Sequence, residues 1–536
     1  MLWPLPSRST TSSLQPRSMI PKITNLYAIC GLCTLGGLLQ GFGVSSLSAI
    51  LATWQYKDYF DNPESVTQGG IMASLAGGCL VGALFSSYIG DHLGRRDSMM
   101  VACVIFIAGS IVMCAVQDKN MLIVARVVNG SGVGLLTSQG PIYIAEMSPA
   151  NMRGRLIAMQ QWMITWGILI MYYVSYGASR IDSTAAFRLP WGLQIIPALT
   201  LLCCLPMMPR SPRWLATKGR WDEALEVLAM VRAKGNQSDA NTLAELQDIK
   251  DRVEQEKGYK STSWSELFNR RNIIRLHVAV FTHIWSQYSG VNALMYYIVY
   301  IFQMAGLSGT TNLTISSIQY VINVVMTVPT LLFSDKFPRR RVMMTGSFLM
   351  AILHFTMAAV MATNGHPVPG GLEGTPTVTW TLYAGRASQA IIACSYIFTA
   401  TYALTWGPMG WIYPSEIIPL YIRSKAVSLA TLFNWGCNFS LTFFTPTAFR
   451  NIQWRFYIIF GSFCVGAFVH VFFFFQETQG RSLEEMDDIF DNNTFAFGKI
   501  KNDGHEFRKR VRKAGERFEY SPPTSEVAEL GLSDRN

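Results

Sequence analysis

The chain has 536 residues; half are apolar or aromatic and only 15% are charged, whereas about 25% of the residues in an ordinary soluble domain are charged. This shortage of charge excludes a soluble globular protein of this length and predicts that lipid covers much of its surface. A net charge of +10 would indicate nucleic-acid binding in a soluble protein, but most basic residues lie in loops on one predicted side of a membrane, so we expect no nucleic-acid partner.

Twelve long apolar segments are predicted to cross the bilayer as helices. Six form a predicted N-terminal bundle, residues 23–208, and six form a C-terminal bundle, residues 273–476. Amphipathic patterns between them predict a cytosolic helical linker at 209–272, and the polar ends, 1–22 and 477–536, are predicted to be disordered and cytosolic. The predicted spans are 26–47, 69–89, 98–117, 121–144, 156–177, 190–208, 273–305, 313–334, 342–363, 382–413, 424–447 and 455–475.

The distribution of lysine and arginine between the loops predicts the orientation, because cytosolic loops carry an excess of these residues. With both termini inside, twelve basic residues fall in the linker alone. The other inner loops contain Arg95, Arg96, Arg153, Arg155, Lys336, Arg339, Arg340, Arg341, Arg423 and Lys425. The outer loops contain only Lys57, Lys119, Arg180, Arg188, Arg450 and Arg455.

Two loop patterns occur once in each predicted half, at corresponding places. The pattern DxxGRR at 91–96 follows the second span, and DxxPRR at 335–340 follows the eighth. The pattern ExxPxxxR follows the fourth span at 146–153 and the tenth at 416–423. Two independent patterns in register predict two six-helix halves related by an axis along the membrane normal.

Eight motifs follow one another along the chain, some of them containing the loop patterns above: GDHLGRR at 90–96, EMSPANMRG at 146–154, SPRWL at 211–215, QYSGVN at 287–292, SDKFPRR at 334–340, GPMGWIYPSE at 407–416, FNWGCNF at 433–439 and QETQGR at 476–481. With these motifs, residues 22–490 resemble the sugar porter family of the major facilitator superfamily, and most of all fungal hexose transporters. The resemblance implies an all-α membrane protein with twelve transmembrane helices in two pseudo-symmetric halves that carry sugar by alternating access.

Seven neutral side chains within the spans are candidates for sugar binding, because the resemblance maps each of them onto a sugar-contact position of the family. Amides satisfy sugar hydroxyls and indoles stack on the C–H face of the ring, and neither holds the cargo as tightly as a charge would. For the amides, the alternative is hydrogen bonding between helices. The seven are Gln161, Gln287, Asn292, Asn323, Trp411, Asn434 and Trp435.

Two spans are predicted to be broken near these residues. Gln287 and Asn292 are five residues apart, which places them about 140° apart on a regular helix. Unwinding at Gly290 would let both amides face one cavity. The GPMG run at 407–410 predicts a similar break in the tenth span, which would turn the following tryptophan inward.

Two groups of residues are predicted to form gates, as the resemblance implies. Tyr296 and Tyr297 are the predicted outer gate, with ordinary aromatic packing as the alternative. Charged residues at the inner ends of the spans are predicted to pair, among them Glu146 with Arg153, and to hold the inner side closed; anchoring of the arginines to lipid headgroups is the alternative. This inner group comprises Asp91, Arg95, Arg96, Glu146, Arg153, Asp335, Arg339, Arg340, Glu416 and Arg423.

The chain departs from the family pattern at four positions. Gly43 replaces the acid that many proton-coupled members carry, and Ser286 replaces the first of two adjacent glutamines; Arg210 and Pro338 alter the inner loops. Arg126 is an intramembrane cation and therefore a functional candidate that needs a partner. In proton-coupled relatives, this partner would be the acid that is missing at position 43; the alternative is that Arg126 reaches water at a helix end.

These observations favour a monosaccharide uniporter, expected to carry a hexose and to work as a monomer in the plasma membrane, with sugar and lipid as its partners. Because no Asp or Glu occurs between Lys22 and Lys57, we expect downhill, pH-insensitive transport. A proton-coupled symporter and a non-transporting sugar sensor are the alternatives. No nucleophile–base pair or metal-ligand spacing indicates an enzyme, so no catalytic residue, metal or cofactor is expected.

Overall fold

The computed structural model describes residues 21–149, 152–257, 264–372, 377–383, 385–479 and 490. Within this part of the chain, helical segments follow all twelve predicted spans, which confirms the predicted all-α membrane architecture. We number the spans in chain order: Leu26–Cys33 with Leu35–Ser45, Ser65–Leu93, Arg95–Cys114, Lys119–Met147, Arg153–Ala178, Ala185–Leu193 with Ile195–Cys204, Arg270–Tyr288 with Val291–Tyr296 and Ile298–Met304, Gly309–Phe333, Arg339–Asn364, Arg386–Leu404 with Trp406–Ile417, Leu420–Asn451, and Arg455–Phe474.

The spans differ in how apolar they are. Among the described residues, nine helical segments are long and apolar enough to cross a membrane, judged by length and composition alone. Spans 5, 7 and 11 fall outside this group. These three spans carry five of the seven predicted sugar residues, which shows where the polarity lies: Gln161, Gln287, Asn292, Asn434 and Trp435.

Glycines let spans 2 and 4 pack backbone against backbone. Gly78 and Gly82 of span 2 face span 4, and Gly130 and Gly134 of span 4 face span 2. A Cβ atom at Gly78 would lie 2.1 Å from the carbonyl oxygen of Val127, so no larger residue fits there. Small residues four positions apart are a common means of close helix approach in membranes, and here they build the core of the N-terminal half.

The two halves meet along two helix pairs, span 2 with span 11 and span 5 with span 8. In the first pair, the Ser428 hydroxyl donates to the carbonyl oxygen of Ala83 and accepts from Ser86 at 3.1 Å. In the second pair, the Tyr172 hydroxyl donates to the carbonyl oxygen of Leu313 at 3.0 Å. The candidate site lies between these pairs.

Span 7 is broken where the sequence predicts. Its first helix ends at Tyr288, Gly290 has a φ of +88°, and a new helix begins at Val291. A left-handed φ favours glycine, and a Cβ atom at Gly290 would lie 2.8 Å from the ring of Phe460. The prediction of a break at this glycine is therefore confirmed.

Span 10 is broken at a different place from the prediction. Its first helix ends before Thr405, and the second, Trp406–Ile417, runs through the GPMG segment without interruption. Pro408 lacks the N–H that would bond the carbonyl of Leu404, and that carbonyl accepts from the Thr330 hydroxyl at 2.9 Å instead. The predicted position was wrong because a proline disrupts the turn that precedes it.

Shorter elements connect the spans. The helices Pro212–Thr217, Trp221–Arg232 and Ala240–Lys257 follow span 6, which confirms the predicted helical content of the linker. A two-stranded antiparallel sheet, Gly365–Pro367 with Trp380–Leu382, lies in the loop after span 9 and was not predicted. Other short elements are Ile50–Ala52, Trp54–Tyr59, Leu205–Met207, Trp264–Phe268 and Ser334–Lys336.

Candidate functional site

A central cavity of about 60 Å³ lies between the two halves. Spans 1 and 5 of the N-terminal half and spans 7, 8, 10 and 11 of the C-terminal half form its wall. The wall residues are buried or nearly so, and the halves touch each other around them. The wall includes all seven predicted sugar residues: Gln161, Gln287, Asn292, Asn323, Trp411, Asn434 and Trp435.

Gln287 is the centre of an amide network in this wall. Its Nε2 donates to the Oδ1 of Asn434 at 2.7 Å. Its Oε1 accepts from Asn292 and, at 3.2 Å, from Asn438. The break at Gly290 makes the contact with Asn292 possible, because the two amides would point apart on a continuous helix.

Two indoles join the halves across the cavity. The Trp411 Nε1 donates to the Oε1 of Gln161 at 3.0 Å, which links span 10 to span 5. The Trp435 Nε1 donates to the Thr137 hydroxyl at 3.2 Å, which links span 11 to span 4. Each indole thus presents a ring to the cavity while its polar end is satisfied.

A neighbouring tyrosine explains how a serine at position 286 fits the wall where the family pattern has a glutamine. The Ser286 hydroxyl lies 2.9 Å from the hydroxyl of Tyr402, and both residues line the cavity. The tyrosine side chain reaches from span 10 into space that the shorter serine leaves open. The departure from the family pattern therefore changes the polar group at this point from an amide to a phenol and does not remove polarity.

Two polar atoms of the wall have no protein partner. The Oε1 of Gln40 and the Oδ1 of Asn323 are buried without a hydrogen bond. Buried acceptors are normally satisfied, so an unsatisfied pair on a cavity wall suits a ligand that brings donors. The hydroxyl groups of a sugar are donors of this kind.

Four polar residues of the wall were not predicted from the sequence: Gln40, His283, Tyr402 and Asn438. Asn438 lies one turn after Asn434, lines the cavity and bonds to Gln287. His283 lies four residues before Gln287, on the same face of span 7. That spacing was a signal available in the sequence.

Of the predicted outer-gate tyrosines, Tyr296 ends the second helix of span 7 and Tyr297 joins it to the third helix; both are buried. The Tyr296 hydroxyl donates to the Oδ1 of Asn438 at 3.4 Å, and the Tyr297 hydroxyl donates to the carbonyl oxygen of Thr442 at 2.8 Å. The second helix contacts span 1 of the other half. The tyrosines thus occupy the seam between the halves, and Tyr296 is bonded to the amide network through Asn438.

Arg126 is fully buried and does not reach water in this structure. Its Nη1 donates to the Ser46 hydroxyl at 3.3 Å and its Nη2 to the carbonyl oxygen of Met72 at 3.5 Å. Ser46 lies one turn after Gly43, and a Cβ atom at Gly43 would lie 3.2 Å from Leu75. Neutral oxygens therefore take the place of the carboxylate that the family pattern puts in this span.

A network of charged side chains lies at the predicted inner end of the N-terminal half. Arg95 reaches both Asp91 and Glu146 at 3.2 Å. The Ser211 hydroxyl donates to the second oxygen of Glu146, which ties the linker to span 4. The sequence analysis paired Glu146 with Arg153, whereas the structure gives it Arg95 and Ser211 as partners.

Arg210 keeps a carboxylate partner despite its departure from the family pattern. Asp97 accepts from Arg96 and from Arg210, each at 2.7 Å. Arg96 and Asp97 lie in the first turn of span 3 and Arg210 lies in the linker, so Asp97 also ties the linker to span 3.

The C-terminal half repeats the same ion pair. Arg339 lies 2.9 Å from Glu416, in the positions that correspond to Arg95 and Glu146 in the repeated motifs. Glu416 also accepts from the Thr478 hydroxyl at 2.7 Å. Arg340 donates to the carbonyl of Phe472 and Arg423 to that of Ile418, while the side chain of Asp335 lies outside the described residues.

Comparisons with known proteins agree with this geometry. Residues 29–490 match the family model described as "Sugar (and other) transporter". The chain is 43% identical to the high-affinity glucose transporter of Kluyveromyces lactis, over 88% of this chain and 86% of that protein. It is 42% identical to the MFS glucose transporter mfs1 of Aspergillus flavus, over 89% and 92%. The proton:xylose symporter XylE of E. coli, bound to 6-bromo-6-deoxy-D-glucose, aligns with a TM-score of 0.74 at 26% identity over 87% of this chain and 99% of XylE.

Proposed function

Because the chain belongs to the sugar transporter family of the major facilitator superfamily, we propose that it moves a hexose across a membrane by facilitative uniport. It is a multi-pass membrane protein that transports a monosaccharide. The hexose as cargo and uniport as mode of transport are the proposal.

The observation that carries this proposal is the neutral cavity between the halves. Its wall offers amides, hydroxyls and two indoles, and two of its acceptors lack a partner. Because residues of both halves form the wall, rocking of one half against the other would open the cavity to each side in turn. We assign sugar contact to Gln161, Gln287, Asn292, Asn323, Trp411, Asn434 and Trp435.

The charged and aromatic groups at the two ends support gating roles. The pairs Arg95–Glu146 and Arg339–Glu416 hold the inner ends of each half, and Tyr296 and Tyr297 fill the outer seam. Opening either end breaks several hydrogen bonds together, so closed and open arrangements would be discrete states.

Uniport is supported by the absence of a carboxylate where coupling would need one. None of the described residues that line the cavity is acidic, and Arg126 is held by a hydroxyl and a carbonyl. Arginine does not release its proton at accessible pH. Nothing acidic in the wall is therefore available to carry a proton with the sugar.

For the whole protein, we propose a monomer in the plasma membrane with both termini cytosolic. The division proposed for the chain is two bundles at 23–208 and 273–476, a cytosolic linker at 209–272, and cytosolic ends at 1–22 and 477–536. Nearly all of the two ends lies outside the described residues. The excess of basic residues in the inner loops supports this orientation.

Uptake measurements in yeast cells that lack their own hexose carriers test the proposal. Cells that express the chain are expected to take up a labelled, non-metabolised hexose analogue until the internal and external concentrations are equal, with or without a protonophore. Accumulation that a protonophore abolishes would instead show a proton-coupled symporter. Sugar binding to the purified protein without any uptake would show a sensor.

A further inference from the structure

His283 is a titratable side chain in the wall of the proposed sugar cavity. It lies on span 7, one turn before Gln287, and only 3% of it is exposed. Its ring meets the Trp411 ring edge to face, with centroids 5.5 Å apart. The imidazole is therefore in direct contact with one of the proposed sugar-binding residues and lines the same cavity as Gln287 and Asn434.

The surroundings of His283 contain no carboxylate counter-ion among the described cavity residues. The only other titratable group of the wall is the Tyr402 phenol, which bonds to Ser286. On the elements packed against the first helix of span 7, which carries His283, none of the described charged or titratable groups lines the cavity. Besides Arg450 and Arg455 at the predicted outer helix ends, these groups are Glu266, Tyr296, Tyr413, Glu416, Tyr421, Arg423, Lys425, Cys437, Tyr457, Cys464 and His470.

Three of these groups have partners away from His283. Glu416 is paired with Arg339, and Lys425 lies over the ring of Trp264. His470 accepts from the Trp285 indole at 2.7 Å, on a different face of span 7. A proton on His283 would thus be a charge without a carboxylate partner inside a closed cavity, and burying an unpaired ion is strongly unfavourable.

We propose that His283 is the proton-binding group of the sugar cavity, and that its protonated form blocks sugar occlusion. The inference rests on the proposed function. When the cavity is open to water, the imidazole is solvated and can accept a proton. Closing the cavity over the imidazolium would strip its water with no carboxylate to replace it, so the protonated carrier stays open.

Protonation also disturbs the amide network. A neutral imidazole has one donor and one acceptor, whereas an imidazolium has two donors. The Oδ1 of Asn434 already accepts from the Nε2 of Gln287 at 2.7 Å. The imidazolium lines the same cavity as these amides, so it adds a charged donor that would compete with Gln287 for this oxygen and with the sugar for the amides. By linkage, bound sugar opposes protonation to the same extent as the proton opposes sugar.

The sequence predicts pH-insensitive transport because no Asp or Glu occurs between Lys22 and Lys57. A His283 that binds a proton in the cavity makes transport depend on pH. Transport remains uniport, because the protonated form does not close and therefore does not carry its proton across. The proton acts as an inhibitor on whichever side the cavity is open.

The test compares the wild type with His283→Gln, which keeps a donor and an acceptor but does not titrate. Initial hexose uptake is measured at external pH 5.5 to 7.5 in cells that lack their own carriers. A histidine in water titrates at about pH 6.5, so wild-type uptake at limiting sugar is expected to be about tenfold lower at pH 5.5 than at pH 7.5. The variant is expected to give a flat profile. His277→Gln is the matched control: it lies on span 7 outside the cavity wall and should keep the wild-type profile.

Several outcomes separate the possibilities. A flat wild-type profile, or the same fall in His283→Gln as in the wild type, would refute the role of His283 while leaving sugar transport intact. Absence of uptake by the wild type at every pH would count against the proposed function itself. If His283→Gln is made but does not transport, equilibrium binding of labelled hexose to the purified proteins decides: binding at pH 5.5 should be lost in the wild type and kept in the variant, and equal loss in both would refute the proposal.

Discussion

Individual residues of the cavity show how far the sequence predicts the site. The family resemblance maps Gln161 and Gln287 onto sugar-contact positions, and an amide within a membrane span needs a partner in any case. Tyr402 and Gln40 were missed because a tyrosine or a lone glutamine is common in helix packing. Only the tertiary arrangement shows that the phenol of Tyr402 meets Ser286 in the wall.

Adjacent glutamines in span 5 provide a sharp test of sugar contact. Gln161 lines the cavity and bonds to Trp411, whereas Gln160 is buried next to Gly37 and lies outside the wall. We expect Gln161→Ala to raise the KM for hexose about fivefold or more, since it removes hydrogen bonds of about 1 kcal/mol each. Gln160→Ala should leave KM unchanged, whatever its abundance in the membrane.

Uptake kinetics, normalised to the amount of each variant at the cell surface, provide the measurement. An unchanged KM in Gln161→Ala would identify this amide as a link between helices and place sugar contact elsewhere in the wall. A matching rise in both variants would point to a general loss of packing in span 5.

Among the elements, the breaks in spans 7 and 10 show the limits of pattern reading. Gly290 was sufficient to predict the first break, because its conformation follows from the residue itself. The second break depends on where the freed carbonyl of Leu404 finds a donor, and Thr330 supplies it from another span. A partner so distant in sequence cannot be read from the local pattern around Pro408.

The inner ends of spans 2, 3 and 4 form a unit that depends on Arg95. This guanidinium joins Asp91 and Glu146, and both Arg95 and Glu146 are buried. Arg95→Ala removes the guanidinium from the buried Glu146 carboxylate, which keeps its bond from Ser211, so we expect the inner side to open. A change of about 1–3 kcal/mol would shift the equilibrium between open and closed states about 5- to 150-fold.

The rate at which a membrane-permeant maleimide modifies Cys30 reports this opening. Cys30 is buried beside Ser148, two residues after Glu146, so it serves as a native probe once the other nine cysteines are replaced. Arg96→Ala is the control, because its partner Asp97 keeps Arg210. Equal modification rates in Arg95→Ala and the parent would show that the pair does not gate the inner side.

At the scale of the whole molecule, the repeated loop motifs predicted two halves, and the ion pairs Arg95–Glu146 and Arg339–Glu416 repeat as those motifs do. The contacts between the halves were not predictable in the same way. They depend on complementary surfaces, such as the hydroxyl of Ser428 against span 2. The small sheet after span 9 also escaped prediction, since three-residue strands leave little periodicity.

Orientation of the whole chain is tested by labelling from outside. In a variant without native cysteines, Ser238→Cys places an exposed thiol in the linker and Pro369→Cys places one in the loop after span 9. In intact cells, an impermeant maleimide is expected to react with the second and not with the first. After the cells are opened, both should react. Reaction at residue 238 in intact cells would invert the proposed topology.

Spans 5, 7 and 11 enter the bilayer with less apolar surface than the other spans. During synthesis, the translocon releases a helix into lipid according to how its side chains partition, so these three spans depend on neighbours that are already present to accept their amides. Span 5 has spans 1 to 4 before it, whereas span 7 opens the second half and precedes the helix that carries Asn434. Membrane insertion therefore limits how polar the cavity can become. An added polar group that improves recognition of the cargo must first allow its helix to leave the translocon and enter the bilayer.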